Sequence, residues 1–275
     1  MLYWYSGTGN SRKAAQILSQ ELEETDCRFI PSALGVDTEA GISLTSSASR
    51  KQDDLLGFCF PVYSWGVPPV VLKLITGLDA DIFKDKYIYA VLTCGDEAGL
   101  AKEMLDKALK KRGACLNGAF TVIMPNDYVM LPGFNIDCPE LQREKLAKAV
   151  ARLRDVSQRI LLRENVTDVF RGPMAWIKTK AVYPLFKKWG VQTSRWRVNH
   201  DLCISCGKCA GVCPSGNVSL KVTEGLEKAS PIWSKRCYSC TACFHICPVR
   251  AIDYGGFTKG KKQYYLPLSA NLNDE

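Results

Sequence analysis

Short apolar runs alternate with stretches of helical period through the first 165 residues. The runs Leu2–Tyr5, Arg28–Pro31, Leu55–Phe60, Tyr87–Thr93 and Ala119–Met124 predict strands. Between them, apolar side chains recur three and four positions apart. Ala14, Ile17, Leu18 and Leu22 form one such face, and Val71, Leu74, Ile75 and Leu78 another. Ala101, Met104, Leu105, Ala108 and Leu109 repeat the pattern and stop at Gly113, a suitable C-cap. A long helix is expected from near Pro139, with Leu146, Val150 and Leu153 on its apolar side. Five strands alternating with helices need crossover connections, and crossovers bury a parallel sheet on both faces. The expected class is α/β, a doubly wound five-stranded parallel sheet over residues 1–165.

The texture then changes. Arg171–His200 carries seven Lys/Arg, no acid, and three of the six tryptophans. Residues 166–198 therefore read as a basic aromatic linker, with Trp176, Trp189 and Trp196 packed between two folded units and the cationic heads in water. A basic stretch with interleaved aromatics also suits an acidic redox partner, nucleic acid or a membrane surface. From residue 199 to 255 closely spaced cysteines and glycines predict a second, smaller unit. Residues 256–275 read as a polar, partly loose tail.

Composition changes this picture at one point. Of 13 cysteines, eight lie between Cys203 and Cys247; Cys27, Cys59, Cys94, Cys115 and Cys138 are scattered. A secreted disulfide scaffold is shorter and opens with a signal peptide, whereas Met1 here is followed at once by Leu2-Tyr3-Trp4-Tyr5 and a polar turn. No run approaches the ~18 apolar residues of a membrane span. The expectation is a cytoplasmic protein with reduced thiols. Its formal charge of +8 counts no cofactor. Thiolates holding a metal, or a bound anion, would lower it, which weakens any argument for nucleic acid.

Cys203-x2-Cys206-x2-Cys209-x3-Cys213-Pro214 returns 34 residues later as Cys237-x2-Cys240-x2-Cys243-x3-Cys247-Pro248. Three cysteines two residues apart wrap a loop around one face of a cuboidal cluster, and the fourth, carried off by the turn before proline, serves the other cluster. One [4Fe–4S] cluster is thus assigned to Cys203, Cys206, Cys209 and Cys247, the other to Cys213, Cys237, Cys240 and Cys243. Zinc would leave the third cysteine and the Cys-Pro of each half without a role. The segment resembles the bacterial two-cluster ferredoxins, a small α+β fold. It differs by an insert between Cys213 and Cys237, which predicts a hairpin of Val218–Val222 with Ala229–Trp233.

Ser6-Gly7-Thr8-Gly9-Asn10-Ser11 follows the first strand and opens the first helix. Unpaired first-turn N–H groups, the helix dipole and three hydroxyls make an anion site there. A dinucleotide fingerprint needs glycine at Arg12 and an acid after the second strand; a P-loop needs Gly-x4-Gly-Lys-Ser/Thr. Neither is present, and mononucleotide binding remains. The hexapeptide resembles the FMN phosphate loop of flavodoxins, and the whole chain is similar to flavodoxin–ferredoxin fusion proteins of anaerobes. The resemblance places the flavin ring at the carboxyl ends of the central strands. The loops there are Pro61-Val62-Tyr63-Ser64-Trp65-Gly66 and Thr93-Cys94-Gly95-Asp96-Glu97-Ala98-Gly99, with Met124-Pro125-Asn126-Asp127-Tyr128 closing the site. Tyr63 or Trp65 is expected to stack on the ring, and Gly95 and Gly99 to turn backbone amides toward it. Cys59 and Cys94 read as small core hydrophobes. His200 and His245 belong to no catalytic pair.

FMN exchanges one or two electrons and each cluster one. The expected function is an iron–sulfur flavoprotein passing electrons between FMN and a redox protein partner through the two clusters. An FMN-dependent reductase of a small molecule, and a binding protein with structural clusters, are the competing readings.

Overall fold

The computed structural model describes residues 1–41, 44, 54–190, 192–222, 228–267 and 269–270. Strands β1 (Leu2–Trp4), β2 (Cys27–Phe29), β3 (Leu55–Pro61), β4 (Tyr87–Cys94), β5 (Gly118–Ile123) and β6 (Val166–Asp168) form one parallel sheet in the order β2-β1-β3-β4-β5-β6. Helices α1 (Asn10–Glu21), α2 (Ile30–Ala33), α3 (Pro69–Gly77), α4 (Ala101–Lys110) and α5 (Pro139–Leu161) make the crossovers. α1 packs on α5 and α3 on α4, so that β4 is buried at every residue and β3 at all but Pro61. Between β3 and β4 the register sets Gly57 opposite Tyr89, whose ring fills the space a Cβ on Gly57 would need.

The chain turns one way from β1 to β2 and the other way from β1 to β3, which is the flavodoxin-like order with its switch point beside β1. Register aligns Pro61 with Thr93 and Cys94 with Ile123, so the loops after β1, β3, β4 and β5 leave one edge together. Two expectations shift. The second strand ends at Phe29 because Pro31 sits in the first turn of α2, where its missing N–H costs nothing. A sixth strand joins: Val166, Thr167 and Asp168 pair with β5, so the sheet extends past residue 165.

The basic stretch is helical rather than a packed strap of tryptophans. Turns at α6 (Ala175–Ile177), Lys178–Val182, α7 (Tyr183–Leu185) and Phe186–Gly190 run on continuously. Its inward face is Thr179, Tyr183 and Phe186, all buried. Trp176 is 65% exposed, which corrects the expectation that it lies between the units. Trp196 is buried, but within the second unit, and the Trp189 side chain lies outside the described residues.

That second unit pairs β7 (Trp196–Val198) with β10 (Ile252–Tyr254), and β8 (Val218–Lys221) with β9 (Ser230–Trp233), the hairpin expected in the insert. Between them lie α8 (Lys208–Gly211) and α9 (Ala242–Ile246). The tail is not loose over its described part. Tyr264 and Leu266 are buried, an alternation that marks a half-buried extended segment. The Leu266 N–H donates to the Thr8 carbonyl at 2.8 Å, the Arg12 guanidinium to the Leu266 carbonyl at 2.7 Å, and the Tyr264 hydroxyl to Asn10 Oδ1 at 2.6 Å. Among the described residues, no helix is long and apolar enough to cross a membrane.

Candidate redox site

A cavity of about 340 Å³ opens at the switch point. Of the phosphate-loop residues, Ser6, Gly7, Thr8, Asn10 and Ser11 line it; Gly9 does not. Gly9 has φ +106°, and a side chain there would collide with the Leu266 carbonyl, so it serves the turn and the tail. Ser6 Oγ accepts from the Gly9 N–H at 3.1 Å, and Ser11 Oγ shares a hydrogen bond with Thr93 Oγ1 at 2.7 Å. The Asn10 amide donates to the Pro125 carbonyl at 2.9 Å. These bonds fix a ring of small residues around the start of α1, where first-turn N–H groups lack helical partners. Such a cradle suits a phosphate monoester. Lys178 is the only Lys or Arg among the described residues that line the cavity.

Asp127 sits beside this cradle and accepts a hydrogen bond from Thr8 Oγ1. Burial pushes its carboxyl up to about 6, against the lowering effect of Thr8.

Pro61, Val62, Tyr63, Ser64 and Trp65 line the opposite side. Tyr63 and Gly66 exchange two backbone hydrogen bonds of 2.9 Å, closing a two-residue turn with Ser64 at φ +46° and Trp65 at φ +59°. This is the primed hairpin geometry usually left to Asn and Gly, and each L-residue in it costs about 1–2 kcal/mol. Trp65 is held outward from the turn by its Nε1–H bond to Glu97 Oε1 at 2.6 Å, and Lys178, paired with Glu97, lies 5.5 Å from the Trp65 ring. The Tyr63 hydroxyl meets that of Tyr5 at 3.1 Å, and its ring meets Phe186 edge-on.

Thr93, Cys94, Gly95 and Asp96 also line the cavity, whereas Gly99 does not. Gly99 has φ +58° and packs under Trp65. A side chain at Gly95 would strike the Asn126 amide. Burial pushes the Cys94 thiol up to about 12 and raises that of Cys59 further above its ordinary value, so both behave as small hydrophobes.

In the second unit the cysteines gather in two groups. Cys203, Cys206, Cys209 and Cys247 line one small cavity. Burial, then the neighbouring thiols, raise Cys240 and Cys243; the neighbours are Cys213 and Cys237 for Cys240, and Cys240, Cys237 and Cys213 for Cys243. The fourth cysteine of each motif thus stands with the first three of the other. Among the described residues no three His, Cys, Asp or Glu side chains form a single-ion site. Backbone N–H groups of Asn217, Ser239 and Ala251 point at the sulfurs of Cys213, Cys237 and Cys247, each at 3.3 Å. Left-handed residues recur at the repeat interval: Ser205 with Ser239, Gly207 with Thr241, and Gly216 with Arg250. Both halves therefore fold by the same backbone path, and the residues present fit two thiolate-ligated clusters.

The two sites meet. Ser239, Cys240 and Thr241 form part of the wall of the larger cavity. Tyr5 meets Tyr238 edge-on with ring centroids 6.1 Å apart. His245 ties the contact together: its Nδ1 accepts from the Tyr264 N–H at 3.1 Å, so its Nε2–H donates to the Asp127 carbonyl at 2.8 Å. Only the neutral ring does both, and burial holds it neutral, lowered to about 4. No local pattern signals this junction, because its members lie more than a hundred positions apart.

Residues 196–254 match the 4Fe-4S dicluster domain family. The second unit is a two-cluster ferredoxin domain. Its match takes in β7 and Trp196, which the linker was expected to hold. The chain is 36% identical over 72 residues to a ferredoxin of Pyrobaculum islandicum, covering 25% of this chain and 64% of that protein. It is 43% identical over 51 residues to a subunit of the ion-translocating oxidoreductase complex of Methanosarcina acetivorans, covering 18% of this chain and 17% of that one. The chain thus spans less than two thirds of each relative. Rubredoxin oxygen:oxidoreductase from the anaerobe Desulfovibrio gigas aligns with a TM-score of 0.36 and 12% identity, over 57% of this chain and 33% of that chain. The protein joins a flavodoxin-like sheet to a ferredoxin domain.

Proposed function

We propose that the protein binds FMN in the switch-point cavity and two [4Fe–4S] clusters on its eight motif cysteines, and carries electrons between them and a protein partner. The observation that carries this reading is the shared wall: Cys240, a cluster ligand in this assignment, lines the cavity and packs on Gly7 of the phosphate cradle. When bound, the flavin supplies one- or two-electron exchange and each cluster one-electron exchange. The chain's own residues do the rest. Ser6, Thr8, Asn10 and Ser11 would hold the phosphate chiefly through first-turn backbone N–H groups, since the Thr8 and Asn10 side chains are engaged with Asp127 and Pro125. Tyr63, Trp65, Gly95, Val182 and Phe186 line the same cavity and would enclose the ring.

The entry proposed for a partner is the Cys206 side of the second unit. Cys206 is exposed, and Leu202 and Ile204 beside it are 48% and 56% exposed, with Lys208 exposed nearby. An apolar patch with a cation suits a one-electron carrier with an acidic rim. Its electrons would enter by the cluster of Cys203, Cys206, Cys209 and Cys247, leaving the cluster of Cys240 against the flavin.

Anaerobic purification tests the composition, with eight irons and one FMN per chain expected. Rapid mixing tests the route: after the clusters are reduced, flavin bleaching should follow cluster reoxidation within one chain. Clusters and flavin that never exchange electrons would overturn the reading. A screen of small acceptors in steady state separates a carrier from a reductase.

A further inference from the structure

Trp196 at the start of β7 and Trp233 at the end of β9 stack with ring centroids 6.0 Å apart and planes 13° from parallel. The Nε1 atoms of both indoles are buried without a hydrogen-bond partner. A buried N–H left unmade is costly, so each indole calls for an acceptor. Each indole N–H faces one thiol of the same cysteine group, Trp196 that of Cys237 and Trp233 that of Cys243, at a reach that falls short of a full hydrogen bond to the thiol itself. Both belong to the apolar cluster that takes in Cys209, Cys213, Cys243 and Cys247, and it is the approach to Cys237 and Cys243 that assigns them to one group.

The internal repeat makes this one-sided. The positions related to Trp196 and Trp233 by the 34-residue interval are Ser230 and Asn199, neither of which carries an indole. Backbone and hydroxyl donors lean the same way. Cys213 and Cys237 receive the N–H groups of Asn217 and Ser239, and Ser215 Oγ lies 3.4 Å from Cys213 Sγ, whereas the other group has the Ala251 N–H on Cys247 and the Ala210 N–H on Cys209, with no side-chain donor among the described residues.

We propose that the indole N–H groups of Trp196 and Trp233 donate to sulfurs of the cluster held by Cys213, Cys237, Cys240 and Cys243, and so set its reduction potential above that of the other cluster. This rests on the ligand assignment above. Adding an electron makes a cluster more negative, and N–H···S bonds stabilise the more negative state, so the donor-rich cluster is the easier one to reduce. An electron arriving at the exposed Cys206 side then settles beside the FMN cavity.

The test uses the full chain, reconstituted anaerobically, as wild type, Trp196→Phe, Trp233→Phe and the double variant. Electron paramagnetic resonance during a redox titration resolves the two clusters. In the double variant the higher-potential cluster should shift at least tenfold in its one-electron equilibrium, ~59 mV to more negative values, with the other unmoved. Equal shifts in both clusters, or none with eight irons still bound, would overturn the inference. Should the variants fail to load, wild type labelled with indole ¹⁵N decides by pulsed resonance. A nitrogen coupling on the higher-potential cluster supports the inference, and its absence there refutes it. Wild type that binds fewer than eight irons refutes the ligand assignment instead, so the two failures are distinct.

Discussion

Gly7 of the phosphate cradle packs so closely on Cys240 that a Cβ at Gly7 would lie 2.6 Å from the Cys240 Cβ and 2.8 Å from its carbonyl oxygen. Real Cβ atoms do not approach backbone so closely, so a methyl group must push the two loops apart. Gly7→Ala is therefore expected to weaken FMN binding about tenfold, ~1.4 kcal/mol, and to slow electron exchange between flavin and clusters. Gly77→Ala, at a site with open space, should change neither. Flavin fluorescence titration and rapid mixing measure the two effects.

Asp127 sets a pH dependence. Its carboxyl is raised from 3.8 to about 6 by burial, so the folded chain holds more protons than the unfolded chain between those values. Stability then falls as pH rises through that window and levels off above about 6. An anionic phosphate in the cradle makes the carboxylate harder still to form, so FMN affinity should weaken as pH rises above about 6. Asp127→Asn keeps an oxygen for Thr8 and removes the charge. The ratio of wild-type to variant dissociation constants should be flat below about 6 and rise with pH above it; the phosphate's own titration cancels in that ratio. A ratio constant from pH 5 to 8 would show that Asp127 does not face the bound anion.

The returning tail supports the cradle from behind. Leu266 is 5% exposed, packs with the sheet core, and holds the Thr8 carbonyl and the Arg12 guanidinium through its own backbone. Leu266→Ala should cost about 2–5 kcal/mol, as for other buried leucines. The loss should appear in thermal melts of the apoprotein. A melting temperature within error of wild type would mean that the tail does not dock in solution.

The sheet and the cluster motifs are readable from sequence because each has a short-range cause. Apolar periodicity marks β3 and β4, which are buried on both faces, and cysteine spacing marks a loop whose repeat turns at Ser205 and Ser239 match. The departures are those where three-dimensional context decides. β6 is three residues long, too short for any period, and forms because β5 offers it an edge. Trp176 and Trp196 look alike in sequence, yet Thr179, Tyr183 and Phe186 fill the inward face of the strap and leave Trp176 outside. The tail's polar residues suggest looseness, while Tyr264 and Leu266 among them carry the alternation of a docked strand. The cavity wall at Ser239–Thr241 and the Asp127–His245 bond join segments that nothing local connects.

Cys213 provides the sharpest test of how the cysteines are shared. In sequence it closes the motif begun by Cys203, yet the thiols around it are Cys237, Cys240 and Cys243. It also receives the Asn217 N–H, as Cys247 receives that of Ala251. Cys213→Ser should therefore disturb the cluster against the flavin cavity, and Cys247→Ser the one beneath exposed Cys206. Each variant should lose up to four irons, or retain a cluster of altered spectrum, while its other cluster keeps the wild-type signal. Electron delivery separates them further. Cys247→Ser should block entry from a protein partner but leave the flavin-side cluster reducible by a small mediator. Cys213→Ser should accept electrons from the partner and fail to pass them to the flavin. The reverse pattern would show that each motif ligates its own cluster, and would remove the basis for placing Cys240's cluster against the FMN.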